Sequence, residues 1–167
     1  RCEVHAVSGR VSVGALAGDV RVEARGGEVE FARVDGEVSV SSRGGDVAFT
    51  DGCTGPVEVT AIHGDVWLAG ALSSADVTTS AGDVRVANSD GYVVAQTSGG
   101  NVVVDRIAAG LSAHASDGDV LARLTEDPIR YSELSATGGD VVVYLAEDVS
   151  ADVWARGVLA TPLAYEL

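Results

Sequence analysis

Glycine punctuates this chain at nearly even intervals, and the residues after each glycine repeat. The positions are Gly9, Gly18, Gly27, Gly36, Gly45, Gly55, Gly64, Gly82, Gly91, Gly100, Gly110, Gly118 and Gly139. Most intervals are nine or ten residues, and that from Gly64 to Gly82 is a double one. Two residues after these 13 glycines, 12 positions hold Val, with Ser112 the exception; four residues after, all but His114 are apolar. The unit is Gly-(Asp/Glu)-Val-x-(Val/Phe) followed by a short link. In a strand the second and fourth positions share one face, and Val and Phe suit a pleated, half-buried surface. Each unit therefore predicts one short strand and a corner.

The units fall into two unlike sets. One carries a residue pair before its strand, as in Gly26-Gly27, Gly44-Gly45, His63-Gly64, Ala81-Gly82, Gly99-Gly100, Asp117-Gly118 and Gly138-Gly139. The other starts at Gly18, Gly36, Gly55, about Ala75, Gly91 and Gly110. An apolar corner residue recurs at the same long period: Leu16, Val34, Cys53, Leu72 and Ile107. A period of 18 or 19 residues that holds two distinct strands and a corner in phase predicts an all-β chain. Its fold is a β-solenoid (parallel β-helix) with two main strands per coil. Dividing 167 residues by 18 gives about nine coils, roughly 43 Å of rod at ~4.8 Å per coil. Right-handed coiling is the default for parallel crossovers. The chain reads as one domain over 1–167, with the repeat in about 1–145 and a terminal strand and tail in 146–167. A narrow interior accounts for abundant Val and for only 5% aromatic residues.

The iterated blocks Gly44-Gly45-Asp46-Val47, Ala81-Gly82-Asp83-Val84-Arg85-Val86 and Gly138-Gly139-Asp140-Val141 resemble the bacterial and archaeal DUF4097 family of adhesin-like β-strand-repeat domains. The run from Gly139 to Val153 looks like that family's C-terminal portion. The resemblance spans essentially the whole chain. It implies a β-solenoid of cell-surface and envelope-associated proteins and carries over no catalytic motif. The polymerising bactofilins are similar in coil length but lack this two-fold nine-residue alternation.

Charge and composition narrow the function classes. Asp and Glu number 25 against 11 basic residues, all Arg, for a formal charge of −14. Such a surface repels phosphate backbones, so no nucleic-acid partner is expected. No stretch approaches ~18 uninterrupted apolar residues, so no membrane insertion by this segment is expected. Two Cys do not make a disulfide framework. Cys2 falls in inward strand phase and Cys53 in the corner column, at least ~10 Å apart, which predicts two free thiols. His5, His63 and His114 share no phase and show no metal-ligand spacing. His114 reads as replacing an inward apolar residue. The stretch Leu124 to Gly138, with Asp127-Pro128, reads as an irregular insertion at a coil corner, a functional loop being the other reading.

Two columns are candidate sites. Glu28, Asp46, Asp65, Asp83, Asp119 and Asp140 share one phase, with Asn101 in the gap. At about 5 Å spacing their mutual repulsion in water is only ~0.9 kcal/mol per pair. The column reads as a solvated acidic edge that blocks sideways pairing, with a cation ladder as the functional alternative. The ligand-bearing turn of nine-residue calcium rolls is absent. Outward on the same sheet stand Ser12, Glu30, Ala48, Trp67, Arg85, Val103, Leu121 and Val142, with Tyr144 beside Val142. Trp67, Val103, Leu121, Val142 and Tyr144 form a possible interaction surface, unless the tail Trp154 to Leu167 or a neighbouring domain covers it. No nucleophile elbow or phosphate loop is present. The expectation is a non-catalytic structural or adhesin-like module without cofactor, extracellular or in the cell envelope, with a cytoplasmic location as the alternative. Its partner would be a protein or a cell surface. The alternatives are a filament subunit stacking end to end on itself and, more distantly, a calcium-dependent binding module.

Overall fold

The computed structural model describes residues 1–71, 73–124 and 131–146. In chain order the coils are β1 (Cys2–Ala6), β2 (Val11–Val13) and β3 (Leu16–Ala17), then β4 (Val20–Ala24) and β5 (Val29–Asp35), then β6 (Val38–Ser42) and β7 (Val47–Cys53). They continue with β8 (Val57–His63) and β9 (Val66–Leu68), β10 (Ala75–Ala81) and β11 (Val84–Val86), and β12 (Tyr92–Gly99) and β13 (Val102–Asp105). The last two are β14 (Gly110–Ala115) with β15 (Val120–Leu124), and β16 (Glu133–Ala136) with β17 (Val141–Leu145).

Strands of like phase stack into two sheets. One runs β1-β4-β6-β8-β10-β12-β14-β16, and the other runs β2-β5-β7-β9-β11-β13-β15-β17 with β3 pairing to β5. Every registered pair is parallel, as in Val20↔Val38 and Val84↔Val102. The chain is thus an all-β solenoid, with eight coils among the described residues. The ninth of the expected division falls in 147–167, outside the described residues. The tail Trp154 to Leu167, named with a neighbouring domain as an alternative cover for the stripe, lies there too.

The repeat period sets the register. Coils advance by 18 residues, lengthening to 19 between Val38 and Val57 and to 21 between Ser112 and Glu133. The single extra residue enters as a bulge after Phe49, where Arg33 pairs with Gly52 rather than with Asp51. The corner column is a third, narrow ladder: Leu16↔Val34, Val34↔Cys53, Cys53↔Ala71, Ala71↔Ser89 and Ser89↔Ile107. Leu72 lies outside the described residues, and Ala71 holds the position expected of it. Ser89, a polar break in the apolar pattern, also belongs here. Its buried hydroxyl donates to the Gly91 carbonyl at 3.1 Å.

The inward columns form one continuous core, with Val29, Val47, Val66, Val84, Val102 and Val120 stacked and buried. In the neighbouring column Phe31 and Phe49 stack at 4.6 Å between centroids and 9° between planes. In a parallel sheet identical residues lie directly over one another, so two rings of equal phase meet face to face. Buried Ser42, Thr79 and Thr97 each donate to a backbone carbonyl, at 3.1, 3.5 and 3.0 Å.

Two expectations fail on the same physical ground: strand phase follows the neighbouring coil, not the nearest glycine. Gly110 aligns with Tyr92 rather than with Gly91, so Leu111, Ala113 and Ala115 point inward and are buried. His114 therefore faces outward beside Gln96, its Nδ1 2.7 Å from the Ser135 hydroxyl. Gly110 serves a local need, since a Cβ there would lie 2.8 Å from the Tyr131 carbonyl oxygen. The stretch Leu124 to Gly138 is likewise not wholly an insertion. β16 within it continues the first sheet, pairing Ala113↔Leu134 and Ala115↔Ala136. Glycine spacing does not reveal this strand, because no Gly lies between Gly118 and Gly138 and Ser132 stands in the register of Leu111, where the repeat usually holds Val; residues 125–130 lie outside the described set.

The glycines answer to packing more than to turning. A Cβ on Gly118 would lie 2.0 Å from the Gly100 carbonyl oxygen, and one on Gly100 2.2 Å from that of Gly82. Neither has a positive φ. Backbone stacks on backbone at this corner, and any side chain would prise the coils apart.

Candidate functional site

The first candidate column is held together by its own side chains. The Asp65 N–H donates to Oδ1 of Asp46 at 2.9 Å, and the Asp83 N–H to Oδ1 of Asp65 at 2.8 Å. The Asn101 N–H donates to Asp83 at 2.7 Å, Asp119 to the Asn101 amide oxygen at 2.9 Å, and Asp140 to Asp119 at 2.8 Å. Each carboxylate thus accepts from the backbone one coil onward. The strand begins one residue later, so this N–H lies at a corner where no strand partner reaches it. A short acceptor is required, which explains Asp at the position and Asn101 as an equivalent rung.

Glu28 does not join the ladder. Its longer side chain takes Arg10 at 2.8 Å, and Arg10 also lies 3.7 Å from Glu30. That hydrogen bond and the two carboxylate charges raise the Arg10 pKa above its ordinary value. A partial second ladder opens on the other corner, where the Glu37 N–H donates to Asp19 at 3.2 Å. It stops at Pro56, which has no N–H to offer. The acidic column is therefore a structural device as well as an exposed edge. Among the described residues no group of three or more His, Cys, Asp or Glu is arranged to hold a metal ion.

The second candidate column is assembled as expected. Register places Ala48, Trp67, Arg85, Val103, Leu121 and Val142 side by side on successive strands of the second sheet. Trp67 is 52% exposed, while Val103, Leu121, Val142 and Tyr144 are half-buried. Trp67 does not touch the apolar run directly, because Arg85 stands between and lies over the indole at 5.5 Å. Tyr144 is one column across, beneath Arg123 at 5.4 Å, and Arg123 pairs with Asp105 at 2.5 Å. Arg85, Asp105 and Arg123 were not singled out from sequence. Their signal lies one period away, the two arginines as cations 18 and 21 positions from the aromatic residues they face, and Asp105 as an anion 18 positions before Arg123.

The thiols stand as expected, both free, with Cys53 only 2% exposed. Burial, aided by the charge of Asp35, pushes the Cys53 thiol up to about 11, against a lowering hydrogen bond from the Val34 backbone. A shallow open groove runs beside Glu37, Pro56, Glu58, Ser74, Asp76 and Tyr92. No His, Cys or Lys lines it. No helix among the described residues is long and apolar enough to cross a membrane.

Comparison with known proteins finds no match among curated proteins or among solved structures. The family model for Toastrack DUF4097 matches residues 4–153, which takes in both candidate columns and every coil except the start of β1. With that extent of match, on a fold whose coils follow the same repeat, the chain belongs to the Toastrack DUF4097 family.

Proposed function

We propose that this domain is a non-catalytic structural module of adhesin-like type, presented at the cell surface or in the envelope. The observation that carries the reading is the rung-by-rung ladder from Asp46 to Asp140. It ties successive coils at a corner that strand pairing leaves open, and so makes a stiff rod with flat outer faces. Stiffness and broad faces suit display and contact rather than turnover, which calls for concave, water-excluding sites. The formal charge of −14 keeps such a rod dispersed.

Added protease tests the placement. On intact source cells the domain should be cleaved from its attachment, as followed by antibody. Full protection until lysis overturns the surface reading. Fluorescently labelled domain should also bind whole cells or matrix material while sedimenting as a monomer.

A second reading, an end-to-end filament subunit, draws on the stacking itself, since every registered strand pair is parallel and both sheets run the length of the described coils, an arrangement that further coils from another copy could continue. Sedimentation velocity over a concentration series separates the two. A filament lengthens with concentration; the module does not.

A further inference from the structure

We propose that the outer face spanning β9, β11, β13, β15 and β17 docks a segment of a protein partner bearing apolar side chains together with Arg or Lys. Two parallel rows define this face. One is the apolar run Val103, Leu121 and Val142, with Trp67 beyond Arg85 at one end. The other lies two residues earlier in each coil, at the corner just ahead of the strands and about 7 Å away, and consists of Asp65, Asp83, Asn101, Asp119 and Asp140. The earlier coils lack the apolar row, having Ser12, Glu30 and Ala48 in its place, so the pairing of rows is local to this end of the rod.

Charge selects the occupant. None of these aspartates is in an ion pair among the described residues, since Arg85 and Arg123 are turned onto Trp67 and Tyr144. Their carboxylates are nevertheless held in place, because Oδ1 of Asp65, Asp83 and Asp119 accepts a backbone N–H. A second copy of this chain brings a charge of −14 against that row. The chain's own residues 147–167 bring Glu147, Asp148, Asp152 and Glu166 against a single Arg156. Both are mismatched, whereas a basic, apolar-bearing segment complements both rows at once.

The inference deepens the module reading and rests on it. Its test concerns binding alone, so a failure here leaves the protease result on intact cells standing. The probe is an acetylated, amidated peptide of about eight residues alternating Val and Arg, long enough to cover several side-chain positions. It is titrated into the full chain by calorimetry and by Trp67 emission, with Trp154→Phe to isolate that signal. Two variants dissect the face. Asp83→Asn with Asp119→Asn removes charge but keeps the acceptor, as Asn101 does naturally; Val103→Thr with Leu121→Thr removes apolar surface while keeping strand preference.

The expected result is saturable, salt-sensitive binding that each double variant weakens about tenfold with the melting temperature retained. Absence of saturable binding overturns the proposal. So does equal binding of a Gly-Arg peptide, which means charge attraction alone. Self-association of the free chain that Val103→Thr with Leu121→Thr abolishes means a second copy is the occupant. Trp67 shielded from acrylamide in the free chain, with no peptide bound, means the chain covers its own face.

Discussion

The backbone N–H of Asn101 donates to Oδ1 of Asp83 at 2.7 Å, and the Asn101 amide oxygen accepts in turn from the N–H of Asp119 at 2.9 Å. One residue is both guest and host of the same ladder, without a charge. The ladder therefore depends on acceptor geometry rather than on acidity. Asp83→Ala should cost about 1 kcal/mol in urea denaturation, whereas Asp83→Asn should stay within about 0.5 kcal/mol of the parent. Equal losses for the two would assign the column to charge.

Gly100 stacks its backbone under Gly118 with no room for a side chain. Gly100→Ala should destabilise by about 2–4 kcal/mol, seen as a large drop in thermal midpoint, because the alanine methyl would meet the Gly82 carbonyl oxygen at 2.2 Å. Gly14, where a methyl group would have nothing within 4 Å, should accept Ala almost freely.

Cys53 links stability to alkaline pH. Its thiol sits at about 11 in the fold against an ordinary 9.0. Below pH 9 it is protonated in both states and its contribution is fully present. Between 9 and 11 the unfolded chain releases the proton while the native chain keeps it, so stability falls by about 2–3 kcal/mol in total. Urea midpoints for the parent and Cys53→Ala should converge across this window. The chain has no Lys, and every ionisable group other than Cys53 is common to the two proteins, so the difference between their curves reports Cys53. Parallel curves would show that burial does not hold the proton.

Phe31 and Phe49 are stacked at 4.6 Å inside a column otherwise built of smaller side chains. Phe49→Val should cost about 2–3 kcal/mol by leaving a cavity against Phe31. The double variant Phe31→Val with Phe49→Val should cost less than the sum by about 0.5–1.5 kcal/mol, the coupling of the ring pair. Strict additivity in a double-mutant cycle would deny the contact.

His114 and Ala113 test which side of β14 is the inside. His114→Thr should change stability by less than about 0.5 kcal/mol, and Ala113→Asp should abolish cooperative melting, because only Ala113 is buried in the core.

Much of this molecule is legible in the order of its residues. A strand alternates its faces every residue, and a coil returns every 18; both periods are one-dimensional, so they are written in the order of residues. Val20, Val38 and Val57 announce a shared column, and Trp67, Val103, Leu121 and Val142 another, by spacing alone. Where phase was inferred from glycine it failed, at Gly110 and again at β16, because glycine marks where backbones crowd and not where strands start.

What the order of residues determined, then, is the period, the two kinds of strand and the inward set. Only the folded chain decided which atoms meet between coils. It turned Asp83 from an exposed charge into an acceptor for Asn101, set Arg85 over Trp67, moved the corner position to Ala71 and faced His114 outward. The reason is that a stacking contact joins residues 18 to 21 apart through the direction of a side chain, and a one-residue slip at a corner reverses that direction while leaving the composition of the repeat unchanged.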